Sequence, residues 1–217
     1  MTPPASPAPR RGFLAQCAAA VAALGLPSLA RAERGPAMPV AERWPSRLTG
    51  RHKLIIQSHE PAEGVALAWA YNFLEAQKDA YGLADADSSV IVGLQGKAIA
   101  LLLDDAMWAR YGIAAATGLQ SAGGKNPYRQ PGSPMGQGGE SMLDMLARRG
   151  VIFLACGNTL KRGASRWVKE RPLTPEIAAA WTAEARAALP AYVEVVPAMV
   201  TTLVQAQERG CRYIYAG

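Results

Sequence analysis

Three cysteines (Cys17, Cys156, Cys211) and two histidines (His52, His59) are the most reactive side chains in this 217-residue chain. Cys156 is the best placed for chemistry. It ends the unbroken apolar run Val151-Ile152-Phe153-Leu154-Ala155 and precedes Gly157-Asn158-Thr159-Leu160-Lys161-Arg162-Gly163. If that segment opens a helical turn, its backbone N–H groups point at the sulfur, and they and Lys161 and Arg162 favour the nucleophilic thiolate. The other reading is an inert apolar thiol, since free cysteines are often buried. His59 follows a second apolar run, Leu54-Ile55-Ile56, and precedes Glu60, a pairing that suits a base with an orienting carboxylate. An exposed loop histidine is the alternative. By position and charge, Asn158, Lys161 and Arg162 are the candidate substrate-binding residues beside a catalytic Cys156 and His59.

Other chemistries lack their residues. There is no Walker-type phosphate loop, and the glycines of 123–139 do not sit between a strand and a helix as a dinucleotide fingerprint requires. There is no G-x-S-x-G elbow and no metal-ligand spacing, so neither a metal nor a cofactor is expected. A haem on His59 is a weaker third option. Asp104-Asp105 reads as the solvated face of a helix, and Met135, Met142 and Met145 as an adaptable apolar patch or as core. A Cys156–Cys211 disulfide is ruled out by placement. One ends a strand and the other opens one, about 16 Å apart along a parallel sheet, whereas a bridge needs Cα atoms within about 7 Å. Two free thiols are expected, with Cys211 structural.

The net charge of +6 comes from 23 Lys and Arg against 17 Asp and Glu. Residues 1–32 hold Arg10, Arg11 and Arg31 and no acid, so the rest carries 20 against 17, or +3. No basic cluster is interleaved with aromatics, so nucleic acid is not expected as a partner. Residues 1–32 read instead as an address. Arg10-Arg11-Gly12-Phe13-Leu14, an uncharged Ala- and Gly-rich run to Ala30, and Ala30-Arg31-Ala32 resemble a bacterial twin-arginine (Tat) export signal with a cleavage site. A membrane anchor is the alternative; Gly25, Pro27 and the many alanines weigh against it. The expected location is the periplasm, reached through the Tat translocase. Residues 33–52 read as an extended tether, with Trp44 pinning it to the domain surface.

Periodicity over the remainder alternates strands and helices. Strands are expected at 54–56, 89–94, 151–156, 192–196 and 211–215, and helices at 63–81, 97–111, 140–149, 174–189 and 198–209. Gly82 reads as a C-cap, and Thr174-Pro175 as an N-cap followed by a first-turn proline. Residues 112–139, with eight glycines and three prolines, read as a long loop, either a lid carrying Tyr128 and Arg129 or a disordered segment. The fold class that follows is α/β, a three-layer doubly wound sheet of about five parallel strands, flavodoxin-like. Ligands on such sheets bind beyond the carboxyl ends of the strands. In the common 2-1-3-4-5 order the first strand lies beside the strand ending in Cys156, which brings His59 and Cys156 to one edge.

Several segments, taken in order, resemble the DsrE/DsrF-like family. They are Asp105-Ala106-Met107-Trp108-Ala109-Arg110-Tyr111, Lys125-Asn126-Pro127, Val151 to Gly157, Leu160-Lys161-Arg162-Gly163 and Gly210-Cys211-Arg212-Tyr213-Ile214. The resemblance covers about residues 53–217. It implies a DsrE-like α/β sheet and a homo-oligomer or DsrE-like hetero-oligomer. In some members it also implies a sulfur relay, in which a cysteine at the position of Cys156 accepts sulfane sulfur as a persulfide. The well-understood relay members are cytoplasmic, and the Gly/Pro-rich insertion at 117–139 is long for the family. The expected function is an exported sulfurtransferase or sulfur carrier whose partners are a small sulfur compound or a sulfur-acceptor protein. The alternative is a non-catalytic periplasmic module that binds a ligand or assembles with a partner.

Overall fold

The structure is a computed structural model that describes residues 42–132, 139–169 and 172–217; the proposed export segment and Met135 lie outside them. Glu42–Gly217 forms one compact unit. Among the described residues five strands form one wholly parallel sheet: β1 His52–Ser58, β2 Ser88–Leu94, β3 Ile152–Cys156, β4 Glu194–Val196 and β5 Arg212–Tyr215. Among the described residues eight α-helices connect or cover them: α1 Val65–Tyr81, α2 Asp105–Tyr111, α3 Ile113–Thr117, α4 Met142–Arg148, α5 Gly157–Arg162, α6 Ala164–Trp167, α7 Pro175–Ala187 and α8 Met199–Glu208. No described helix is long and apolar enough to cross a membrane. The three-layer α/β class is the one expected from the alternation of strands and helices.

The strand order is β4-β3-β2-β1-β5, not the 2-1-3-4-5 expected. β1 pairs with β2 and β5, so β2 separates it from β3. The chain steps in one direction from β1 to β4 and then crosses the whole sheet to add β5 at the other edge. Right-handed crossovers put the helices of the stepwise part on one face and the return helix, α8, on the other. The buried residues divide accordingly. Leu54, Ile56, Val90, Val92, Phe153 and Ala155 pack with α1, α2, α4 and α7 in a large core. Ile55, Ile91, Ile152, Leu154 and Cys156 point the other way, toward Met199 and Ala206 of α8. Trp44, expected at the surface, is fully buried in this second core, where a 3-10 turn over Trp44–Arg47 holds it and the Arg209 guanidinium lies 5.6 Å from its ring centroid.

Local signals explain most boundaries. α1 ends at Gly82 in the left-handed region: Gly82 takes φ +66, its N–H donates to Lys78 O, and Leu83 N donates to Gln77 O. Thr174 caps α7 by accepting from Ile177 N, with Pro175 in the first turn. The helix expected over 97–111 divides in two. Gly96–Leu102 is a 3-10 helix, and Asp104 starts α2 by accepting from Met107 N at 2.9 Å. Asp104 is therefore a cap rather than a solvated face, and Asp105 accepts from Asn126 N and Gln130 Nε2. The described part of the expected loop is also structured. It carries α3, and the fully buried Asn126 donates to the carbonyls of Ala100, Leu101 and Leu103 around the break. Met142 and Met145 are core residues.

Candidate functional site

The carboxyl ends of β1, β2 and β3 and the turn after β4 enclose a cleft of about 330 Å³, lined by His59, Gln95, Gly96, Cys156, Asn158, Thr159, Arg162, Arg166, Ala198 and Met199 among others. Cys156 forms its floor. The thiol leaves β3 on the α8 face, is 4% exposed, and accepts a hydrogen bond from Met199 N at 3.4 Å. Met199 opens α8, so the positive end of that helix faces the sulfur. The expected helical turn after Cys156 is present as α5, with Cys156 at its N-cap position. Gly157 makes the turn possible, since a Cβ there would lie 2.8 Å from Val196 O.

His59 stands on the opposite wall. Its backbone is fixed by a hydrogen bond from its N–H to Gly217 O and by accepting from Ala98 N. Its Nδ1 lies 3.5 Å from Glu60 Oε1, and the same carboxylate lies 3.3 Å from Lys97 Nζ. Glu60 thus lies beside the imidazole and is shared with Lys97. His59 and Cys156 are not on adjacent strands, however. The end of β2 lies between them, so their strands are about 10 Å apart, two inter-strand spacings. The imidazole leans over Gly96, whose missing side chain is what admits it. A bound group between the two walls would meet both residues; a direct ion pair is not what the strand order provides.

The basic residues divide by helical phase. Asn158 and Arg162 line the cleft, but Lys161 does not; it lines a shallow depression with Ala178, Thr182 and Arg186 of α7. Lys161 therefore does not line this cleft with Cys156. Arg166, which sequence reasoning missed, lines the cleft with Arg162. Residues 158, 162 and 166 are four apart, and such residues share one helix face. Applying that period from Asn158 would have found Arg166 and excluded Lys161. Neither arginine has an acidic partner among the described residues. Thr159 was also missed; its Oγ1 accepts from Gly96 N at 3.1 Å and ties α5 to the end of β2.

Cys156 and Cys211 are both free, as expected, and both are buried. Cys211 lies at the other end of the sheet, where burial pushes its thiol pKa up against the weaker pull of Lys53 and Arg209. Among the described residues no three His, Cys, Asp or Glu side chains converge as a metal site.

No protein family matches the chain, and no curated protein does. Among solved structures, a protein of unknown function, MTH1491 from Methanobacterium thermoautotrophicum, is similar to 76% of this chain and 99% of its own, at 16% identity and a TM-score of 0.43.

Proposed function

We propose that this protein carries or transfers sulfane sulfur on Cys156, taking it from a small anionic sulfur compound. The observation that carries the reading is a cysteine at the floor of a cleft whose wall presents two guanidiniums, Arg162 and Arg166, without an acidic partner among the described residues. With thiosulfate as donor, the Cys156 thiolate attacks the outer sulfur. The S–S bond breaks, sulfite leaves with the electron pair, and Cys156 is left as a persulfide. Arg162 and Arg166 would hold the dianion and the departing sulfite, and Asn158 would orient it. The resemblance to the DsrE/DsrF-like family supports the same chemistry. The twin arginines at Arg10 and Arg11 place that chemistry, in this proposal, in the periplasm after Tat export.

The test is the intact mass of the protein after incubation with thiosulfate or polysulfide, with and without reductant, for the natural chain and Cys156→Ser. A reductant-sensitive gain of about one sulfur in the natural chain alone is the expected result. No gain, or an equal gain in Cys156→Ser, overturns the proposal.

A second reading, a non-catalytic binding or assembly module, draws on two observations. The Cys156 sulfur is nearly buried and already hydrogen-bonded. In addition, Val200 and Val204 on α8 and Tyr213, Ile214 and Tyr215 on β5 are exposed apolar residues at one edge and face of the unit. A Cys156 that resists alkylation in the folded protein, together with a defined oligomer in light scattering, would favour this reading.

A further inference from the structure

Apolar side chains stand in the open on the face of the sheet that α8 covers. Val200 and Val204, four apart on α8, are 65% and 55% exposed, away from the buried Met199, Thr202 and Ala206. Tyr213 and Tyr215 of β5 share this face. They register with Ile55 and Gln57 of β1, and Ile55 packs in the core under α8. Registered residues of parallel strands point the same way, and the Tyr213 hydroxyl donates to Gln57 Oε1 accordingly. Tyr213 is 43% exposed and Tyr215 51%.

The amino end of the same face is basic. Arg43 precedes and Arg47 ends the turn that carries Trp44 into this core, and Arg51 precedes β1. Lys53 Nζ donates to Arg209 O, and the Arg209 guanidinium lies over the Trp44 ring. Three acids stand among these five cations, Glu42, Glu194 and Glu208, which leaves an excess of two positive charges. Arg43, Arg47 and Arg51 are exposed and have no ion pair among the described residues. The sequence that leads into this end adds to the excess. Residues 1–41 hold Arg10, Arg11, Arg31 and Arg34 against Glu33 alone, a further three. Five of the chain's six net positive charges therefore belong to this end and to the segment that enters it.

Charge chooses among the occupants such a face could take. A second copy related by a two-fold would bring another basic end and another basic segment to the first. A nucleic acid would answer the arginines but not the valines. An anionic lipid surface answers both, because it takes apolar side chains and tyrosines at headgroup level and draws Lys and Arg to its phosphates. The chain also keeps this face within reach of a bilayer that takes up the uncharged run 12–30. Only residues 31–41 separate that run from Glu42, at most about 40 Å when extended.

We infer that this face docks on an anionic phospholipid surface, with Val200, Val204, Tyr213 and Tyr215 at the headgroup level and Arg43, Arg47 and Arg51 among the phosphates. The inference is independent of sulfur chemistry at Cys156.

The experiment is a lipid titration of the full chain by vesicle flotation. One set of vesicles is phosphatidylcholine, and the other is an equal mixture of phosphatidylcholine and phosphatidylglycerol. The run 12–30 and its arginines are the same in every protein compared, so differences belong to the face. On mixed vesicles Arg43→Gln/Arg47→Gln raises the half-binding lipid concentration about thirtyfold, and on phosphatidylcholine it changes nothing. Val204→Glu raises it about tenfold on mixed vesicles. Unchanged half-binding on mixed vesicles in either variant overturns the inference. A dimer in light scattering that Val204→Glu dissolves, with vesicle binding unchanged, overturns it in favour of a second copy. If a variant fails to fold, Arg51→Gln keeps the test: a rise of about fivefold on mixed vesicles is expected, and no change overturns the inference.

Discussion

At the scale of single residues, Gly96 decides where the imidazole of the candidate site stands. It adopts φ +57, and a Cβ there would lie 2.5 Å from His59 O and 2.6 Å from its Cε1. Both the backbone strain and the collision oppose any side chain. Gly96→Ala is expected to destabilise the protein by about 1–3 kcal/mol and to displace His59. Urea unfolding and the His59 imidazole NMR signals check the two parts separately. Cys156, His59, Asn158 and Arg162 were legible in the sequence because each follows a recognisable strand, and strand ends are where such sheets bind. Lys161 falls outside the cleft because charge alone, without helical phase, does not say which face of a helix a residue takes. Arg166 was missed because Gly163 looks like a stop. In the structure Gly163 keeps helical angles, with φ −63 and ψ −32, so the face of Asn158 and Arg162 continues through it.

At the scale of elements, Arg149 braces three segments. It makes a two-pronged bond to Asp85 before β2, at 2.9 and 2.8 Å, and reaches Glu75 of α1 at 2.7 Å. The Arg149 hydrogen bond, opposed by partial desolvation, holds the Asp85 carboxyl below its ordinary value. A carboxyl depressed in the folded state stabilises the fold above its unfolded pKa, near 3.8, and that contribution fades as pH falls through the folded value. Arg149→Met is expected to lose about 1–2 kcal/mol at neutral pH, less than a fully buried pair because both acids are partly solvated. It should also show a shallower fall in stability below about pH 4. Urea midpoints for both proteins across the acid range check the sign. The helix over 97–111 was only partly legible. Its apolar period is real, but Asp104 competes with the backbone for the Met107 N–H, and the carbonyls around the break find Asn126, a residue whose distance in sequence hid the partnership.

At the scale of the whole molecule, the parallel α/β class was legible and the strand order was not. Both orders obey right-handed crossovers, and the deciding fact is which strands tolerate an edge. The residues of β5 are all exposed and β4 is half-covered, whereas β1, β2 and β3 are buried nearly throughout. Trp44 belongs to this scale as well, because it closes the smaller core under a face that α8 alone does not cover. Trp44→Ala is expected to lower stability by about 3–5 kcal/mol, read as a shift in the urea midpoint. The strand order also sets a timetable. β1 meets β2 between residues 36 apart, His52 and Ser88, but meets β5 between residues 158 apart, Leu54 and Arg212. Closing the longer loop costs about 1.3 kcal/mol more in chain entropy. Until β5 docks, the outer rim of β1 is an unpaired row of amides and carbonyls, and a half-folded chain offers that rim to any neighbour able to add a strand. Once β5 docks, the open edge is its own four-residue rim in place of the seven residues of β1.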